Sequence, residues 1–190
     1  MKALIAKKYG GPEILELKDQ PIPVPKPDEL LVKVKATTVN RTDCGILMGT
    51  PLMIRMLYGL SKPKKEIPGT DFAGIVEAVG KNVLDWKEGD RVFGFNDMGV
   101  KSHAEYLCIS EKQSIARLPE NISFEQGAAS LEGSHYALNF LKIKNFRKKL
   151  IFSDKRYLKV TTEKVKISIP LPKIETIIPP RNLKITKNVF

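Results

Sequence analysis

Apolar and polar positions alternate most clearly at Leu30–Ala36, where Leu30, Val32, Val34 and Ala36 fall on one face and Lys33 and Lys35 on the other. That period of two predicts a half-buried strand. Shorter strand-like runs are Met1–Ala6, Ile14–Leu17, Phe72–Val79, Arg91–Phe95 and Ala104–Ile109. Turn signals separate them: Tyr9-Gly10-Gly11-Pro12, Gly80-Lys81-Asn82 and Gly89-Asp90. Pro21, Pro23, Pro25 and Pro27 alternate along an extended segment that suits polyproline II better than a ladder. Two stretches read as helical. Ile46–Leu60 is rich in Leu, Met and Ile, interrupted by Gly49 and Pro51. Ser123-Phe124-Glu125-Gln126 fits a capping box, and the run behind it reaches Phe140. The pattern predicts a mainly β domain with a few helices, built as a barrel or sandwich.

Composition changes this picture in one place. The chain of 190 residues carries a net charge of +11, yet residues 1–140 hold 18 basic and 18 acidic side chains. The whole excess lies in residues 141–190, with 14 basic residues against Asp154, Glu163 and Glu175. All 13 glycines fall between Gly10 and Gly133. Two segments are therefore expected: a neutral domain over 1–140 and a basic, glycine-free tail over 141–190. A mean hydropathy of −0.19 suits a buried core, and no apolar run approaches a membrane span. Neither a charged-then-apolar leader nor a disulfide framework is seen, so a cytoplasmic location is expected.

Three segments carry chemistry by their order and spacing. They are Val39-Asn40-Arg41-Thr42-Asp43, then Pro68-Gly69-Thr70-Asp71-Phe72-Ala73-Gly74-Ile75-Val76, then Val79-Gly80 through Gly89-Asp90-Arg91-Val92. Together they resemble the medium-chain dehydrogenase/reductase family, whose catalytic domain is a GroES-like β-barrel. The resemblance covers about residues 1–145. Glu132-Gly133-Ser134-His135-Tyr136-Ala137-Leu138 is similar to the link from that barrel to the family's cofactor domain.

The resemblance implies the zinc-free, quinone-oxidoreductase-like branch. Where the zinc branch has Cys and His, this chain has Asn40 and Thr70, both poor zinc ligands. In the zinc-free branch a reduced nicotinamide does the chemistry, NADP(H) more often than NAD(H). The implied substrate is a small quinone or enone, and a second copy of the chain is a candidate partner. The implied roles are as follows. Asn40 faces nicotinamide and substrate, lining the cleft with Thr70 and Asp71. Thr42 relays a proton, and Tyr136 donates to a substrate oxygen beside the nicotinamide. Asp43 and Asp71 are supporting carboxylates behind these groups, Asp43 being counted with Thr42 and Tyr136 in the catalytic set. Read from residue type alone, Asn40 and Asp43 shape a turn and Asp71 fixes a strand start. His103 and His135 read as structural or surface residues. Cys44 and Cys108 read as reduced core thiols, Met48, Met53 and Met56 as packing, Trp86 as a packed loop residue, and Lys62, Lys64 and Lys65 as a solvated loop.

The tail departs from the family pattern. A dinucleotide site needs a strand, a glycine-rich turn and a helix N-terminus, and residues 141–190 hold no glycine. The Rossmann domain is therefore expected to be absent, with out-of-frame translation from Lys148 preferred over a native basic extension. Lys164–Ile169 alternates like a strand. The expected function is the substrate domain of a zinc-independent NAD(P)H-dependent oxidoreductase, cut short and inactive alone. The rivals are a non-enzymatic module whose basic tail touches nucleic acid, disfavoured by the scarcity of aromatics among the tail's basic residues, and a GroES-like co-chaperonin.

Overall fold

The computed structural model describes residues 1–142 and, beyond them, the backbone of five short strands. The organising element is the eleven-residue strand β3 (Glu29–Val39), the counterpart of the alternating run in the sequence. It follows the hairpin of β1 (Lys2–Ile5) and β2 (Glu16–Asp19). Strand β4 (Asp71–Val79) lies antiparallel along one edge of β3 and carries β5 (Arg91–Phe95) on its other side. Strand β6 (Tyr106–Ser110) pairs with the first half of β3 on its free edge, and β7 (Ile115–Arg117) extends the sheet beyond β5. A bridge at Ala3 and Ala104 ties the first hairpin to the segment before β6. These ladders curl around a core without closing into a ring.

Branched and aromatic side chains from the inner faces fill that core. Leu30, Val32 and Val34 from β3 meet Phe72 and Val76 from β4, Val92 from β5, and Leu107 and Ile109 from β6. Trp86 packs against this cluster, and Arg117 stacks on its ring. Gly74 interrupts β4 for a steric reason: a Cβ there would sit 2.3 Å from the Lys33 carbonyl oxygen. The close approach lies beside an irregularity in the β3–β4 register between Val34 and Ala36.

Among the described residues four α-helices flank the sheet. Helices α1 (Arg41–Met48) and α2 (Leu52–Tyr58) replace the single helical stretch expected over Ile46–Leu60. The first begins earlier because Asn40 caps it, and Gly49, in the left-handed conformation, ends it. Helix α3 (Phe124–Ala129) has the expected capping box, with Ser123 and Gln126 each bonding the other's backbone N–H. A break at Ser130 then starts α4 (Leu131–Lys142). Small residues let α3 lie close on the sheet: Ala128 packs with Ala36, Ala73 and Leu118.

Two packing expectations are corrected. Met48, Met53 and Met56 are exposed, because α1 and α2 lie outside the barrel and turn that side to solvent. Cys44, on the outer side of α1, is likewise exposed, while Cys108 is half-buried. In the tail, β8 (Lys149–Asp154), β9 (Tyr157–Thr161) and β10 (Lys166–Pro170) form a three-stranded sheet. Strand β11 (Glu175–Ile177) pairs with β12 (Lys184–Lys187), which runs parallel to the end of β3. The strand expected at Lys164–Ile169 corresponds to β10; Lys164 itself lies outside the described residues. No described helix is long and apolar enough to cross a membrane.

Phe72 is fully buried at the centre of the core. Phe72→Ala is expected to cost about 3–5 kcal/mol, from lost burial plus the cavity left behind. Urea denaturation checks this, and a loss below about 1 kcal/mol would place the core elsewhere.

Candidate functional site

The antiparallel pairing of β3 with β4 brings the end of one strand to the start of the other. Asn40, just past β3, therefore meets Thr70 and Asp71, which open β4. Asn40 adopts the extended backbone of an N-cap, and its Oδ1 accepts from the Asp43 N–H at 2.8 Å. Asp43 Oδ2 accepts in return from the Asn40 N–H at 3.1 Å. The Asn40 amide donates to Thr70 Oγ1 at 2.7 Å and to Asp71 Oδ2 at 3.0 Å. Asp71 Oδ2 also accepts from the Thr38 hydroxyl at 2.6 Å. One backbone constraint holds Thr70 in place. Gly69 has φ +107°, and a Cβ there would fall 2.2 Å from Ser102 Oγ. Only glycine fits that turn without displacing its neighbours.

The network is buried throughout, and burial sets its electrostatics. It pushes the Asp43 carboxyl up to about 7, against the pull of the Asn40 backbone hydrogen bond. Burial likewise pushes Asp71 up to about 7, opposed by Thr38 and Asn40, with the Asp43 charge adding to the rise. His103 lies fully inside, and burial draws its imidazole below the usual range. Its Nε2 stands 2.9 Å from the Thr38 carbonyl oxygen, the geometry of an N–H donor. The imidazole is thus neutral, and its 3.9 Å approach to Asp43 is no ion pair. Asp43 Oδ1, Asp71 Oδ1 and His103 Nδ1 are buried without hydrogen-bond partners.

A second, wetter group forms the rim. Thr42, one residue into the same helix turn, donates to Glu132 Oε1 at 2.6 Å. Glu132 opens α4, and burial raises its carboxyl above the usual range, with Thr42 opposing and Asp97 assisting. Tyr136, one turn further along α4 and 41% exposed, donates to Asp97 Oδ1 at 3.0 Å. The Tyr58 hydroxyl of α2 donates to the Asp97 carbonyl. Ser134 Oγ, between Glu132 and Tyr136, is buried and unpartnered.

The six residues singled out in the sequence thus fall into two layers. Asn40, Asp43, Thr70 and Asp71 come together in the buried network, and Thr42 and Tyr136 come together at the rim. Asn40, Thr70 and Asp71 were expected to line the cleft. The structure directs the Asn40 amide, with three hydrogen bonds made, into the protein. Sequence reasoning missed Glu132 and Asp97. Glu132 lies 90 positions from Thr42, and its only signal was its place four residues before Tyr136 on one helix face.

A family model for the alcohol dehydrogenase GroES-like domain matches residues 26–128. The chain belongs to that family. Its relatives put it in the quinone-oxidoreductase-like branch of the medium-chain dehydrogenases/reductases, as an N-terminal domain. The quinone oxidoreductase of Sus scrofa is 42% identical over 130 residues, covering 68% of this chain and 37% of that protein. An NADPH-dependent alkenal/one oxidoreductase of Arabidopsis thaliana is 36% identical over 138 residues, 67% of this chain and 33% of that one. The quinone oxidoreductase structure from Coxiella burnetii superposes with a TM-score of 0.67 at 28% identity, covering 79% of this chain and 47% of that one. The Escherichia coli quinone oxidoreductase complexed with NADPH gives 0.64 at 29% identity, covering 77% and 42%. The chain therefore spans a little over a third of the length of the curated relatives it matches.

In this GroES-like domain Asn40 and Thr70, the two positions that the family resemblance sets against zinc ligands, hydrogen-bond to each other. Among the described residues no group of three His, Cys, Asp or Glu side chains could hold a metal ion. A nicotinamide dinucleotide fits in part. The rim hydroxyls of Thr42 and Tyr136 and the orphaned Ser134 Oγ suit its reacting end. No glycine-rich strand-to-helix turn among the described residues cradles a pyrophosphate.

The raised carboxyls predict a pH dependence. Asp titrates near 3.9 when unfolded, so Asp43 and Asp71 hold protons in the fold that the unfolded chain has released. Their stabilising contribution is full below about 4 and is lost as pH rises through about 7. The urea midpoint should fall between pH 5 and pH 8, and Asp43→Asn should flatten the fall. An undiminished slope in that variant would contradict the assignment.

Proposed function

We propose that this domain is the substrate-side half of a zinc-independent, NAD(P)H-dependent reductase acting on small quinones or enones. The observation that carries the reading is the rim: two hydroxyls, a half-exposed Thr42 and an exposed Tyr136, each bonded to a carboxylate above a buried polar floor. The names of the matched relatives, quinone and alkenal/one oxidoreductases, agree with it. A bound reduced nicotinamide supplies a hydride. Hydride arrival at an activated C=C or C=O leaves negative charge on oxygen, which needs a donor and then a proton. Thr42 and Tyr136 supply the donors. The Asn40 network fixes the backbone at the start of α1, so Thr42 is presented at a set depth. Asp97 anchors Tyr136 and, through Tyr58, holds α2 beside it.

The described residues hold hydroxyl donors and no phosphate cradle, so the domain is proposed to bind the acceptor and to leave the dinucleotide to a separate domain. Duroquinone is a suitable probe because its fully substituted ring spares the exposed Cys44 thiol. It should shift the amide resonances of Thr42 and Tyr136, while the chain shows no NADPH-dependent quinone reduction above background. Micromolar NADPH binding with turnover would refute the half-site reading, and shifts confined to other surfaces would refute the acceptor site.

A further inference from the structure

We propose that Glu132 is a positioning residue that stores the proton Thr42 delivers to substrate oxygen. The inference deepens the reductase reading above and rests on it. Its basis is geometric. Thr42 Oγ1 lies 2.6 Å from Glu132 Oε1, inside the range of a strong charge-assisted hydrogen bond. A threonine hydroxyl has one hydrogen. While that hydrogen is bonded to a Glu132 carboxylate, Thr42 offers a substrate oxyanion only lone pairs. When Glu132 carries a proton, the bond reverses: the carboxyl O–H donates to Thr42 Oγ1, and the threonine hydrogen turns to the cleft. Protonation of Glu132 therefore decides whether Thr42 can act as a donor.

The surroundings favour the protonated form. Asp43 lies next to Thr42 on α1, Asp71 opens β4, Asp97 follows β5, and Tyr58, His135 and Tyr136 complete the ring from α2 and α4. Asp97 raises the Glu132 carboxyl, Glu132 in turn raises Asp43 and Asp71, and no basic side chain is among the groups that shift it. Glu132 is also only half-buried, so water can return its proton. The step balances as follows. A substrate oxygen left negative by reduction of the conjugated C=C or C=O would take the Thr42 hydroxyl proton. Thr42 Oγ1 takes the proton of the Glu132 carboxyl. One O–H bond forms on the substrate and one breaks at Glu132, Thr42 ends unchanged, and solvent reprotonates the carboxylate.

The test uses the 190-residue chain labelled with [δ-13C]glutamate, its Glu132 resonance assigned with Glu132→Gln, and needs neither substrate nor turnover. Glu132 should titrate above the ordinary glutamate value of about 4.3. Thr42→Val removes a donor to the carboxylate and should raise its proton affinity about tenfold, and Thr42→Ser should restore it. Titration in the ordinary range, or no response to Thr42→Val, overturns the proposal. An uncoupled pair with duroquinone still shifting Thr42 overturns the relay alone. A coupled pair with duroquinone leaving Thr42 unshifted overturns the relay together with the reductase reading.

Discussion

Three hydrogen bonds of the Asn40 side chain join three parts of the chain: the end of β3, the first turn of α1 and the start of β4. Each partner is buried, so each bond replaces water that cannot enter. The cost of leaving any of these groups unpaired, about 1–3 kcal/mol, far exceeds the net gain from a typical exposed hydrogen bond. The shape and chemistry of Asn meet the requirement. Asp lacks the amide hydrogens that reach Thr70 and Asp71, and Ala leaves the Asp43 N–H uncapped. Asn40 is thus a structural hub.

The hub separates what must be rigid from what must meet solvent. Burial raises its carboxyls and lowers its histidine, so the floor carries less charge than the same groups would in water, which reduces the cost of burying them. One residue from Asn40's first partner turn, Thr42 points the other way, to a carboxylate at the rim. A short capped helix start thus delivers a buried Asp43 and a half-exposed Thr42 from adjacent positions. The same division separates α3, sealed to the sheet by alanines, from α4, which carries Glu132 and Tyr136 outward.

Much of the fold was legible because its signals are local. The alternation at Leu30–Ala36 marks β3, and Ser123 with Gln126 marks the start of α3. Asn40 and Asp43 carry a capping signal of the same kind. Residue type alone reads them as shaping a turn, and the capping box they form is a local device of that sort. That Asn40, Thr70 and Asp71 bond to one another in a buried network was not legible, since direction into or out of the protein depends on tertiary pairing. Glu132 and Asp97 were not legible, because their partners lie 90 and 39 positions away. The exposure of Cys44 and the α2 methionines also escaped a reading by residue type, because it depends on α1 and α2 sitting outside the barrel. In the tail, only β10 had a clear alternating signal.

The central claim is that Asn40 and Asp71 act as one unit across the β3–β4 junction. A double-mutant cycle on Asn40→Ala and Asp71→Ala, read by urea denaturation at pH 6, tests it most directly. A coupling energy of about 1–3 kcal/mol between the two positions is predicted. Additive losses, with coupling near zero, would contradict the account, because each side chain would then stabilise the fold independently of the other.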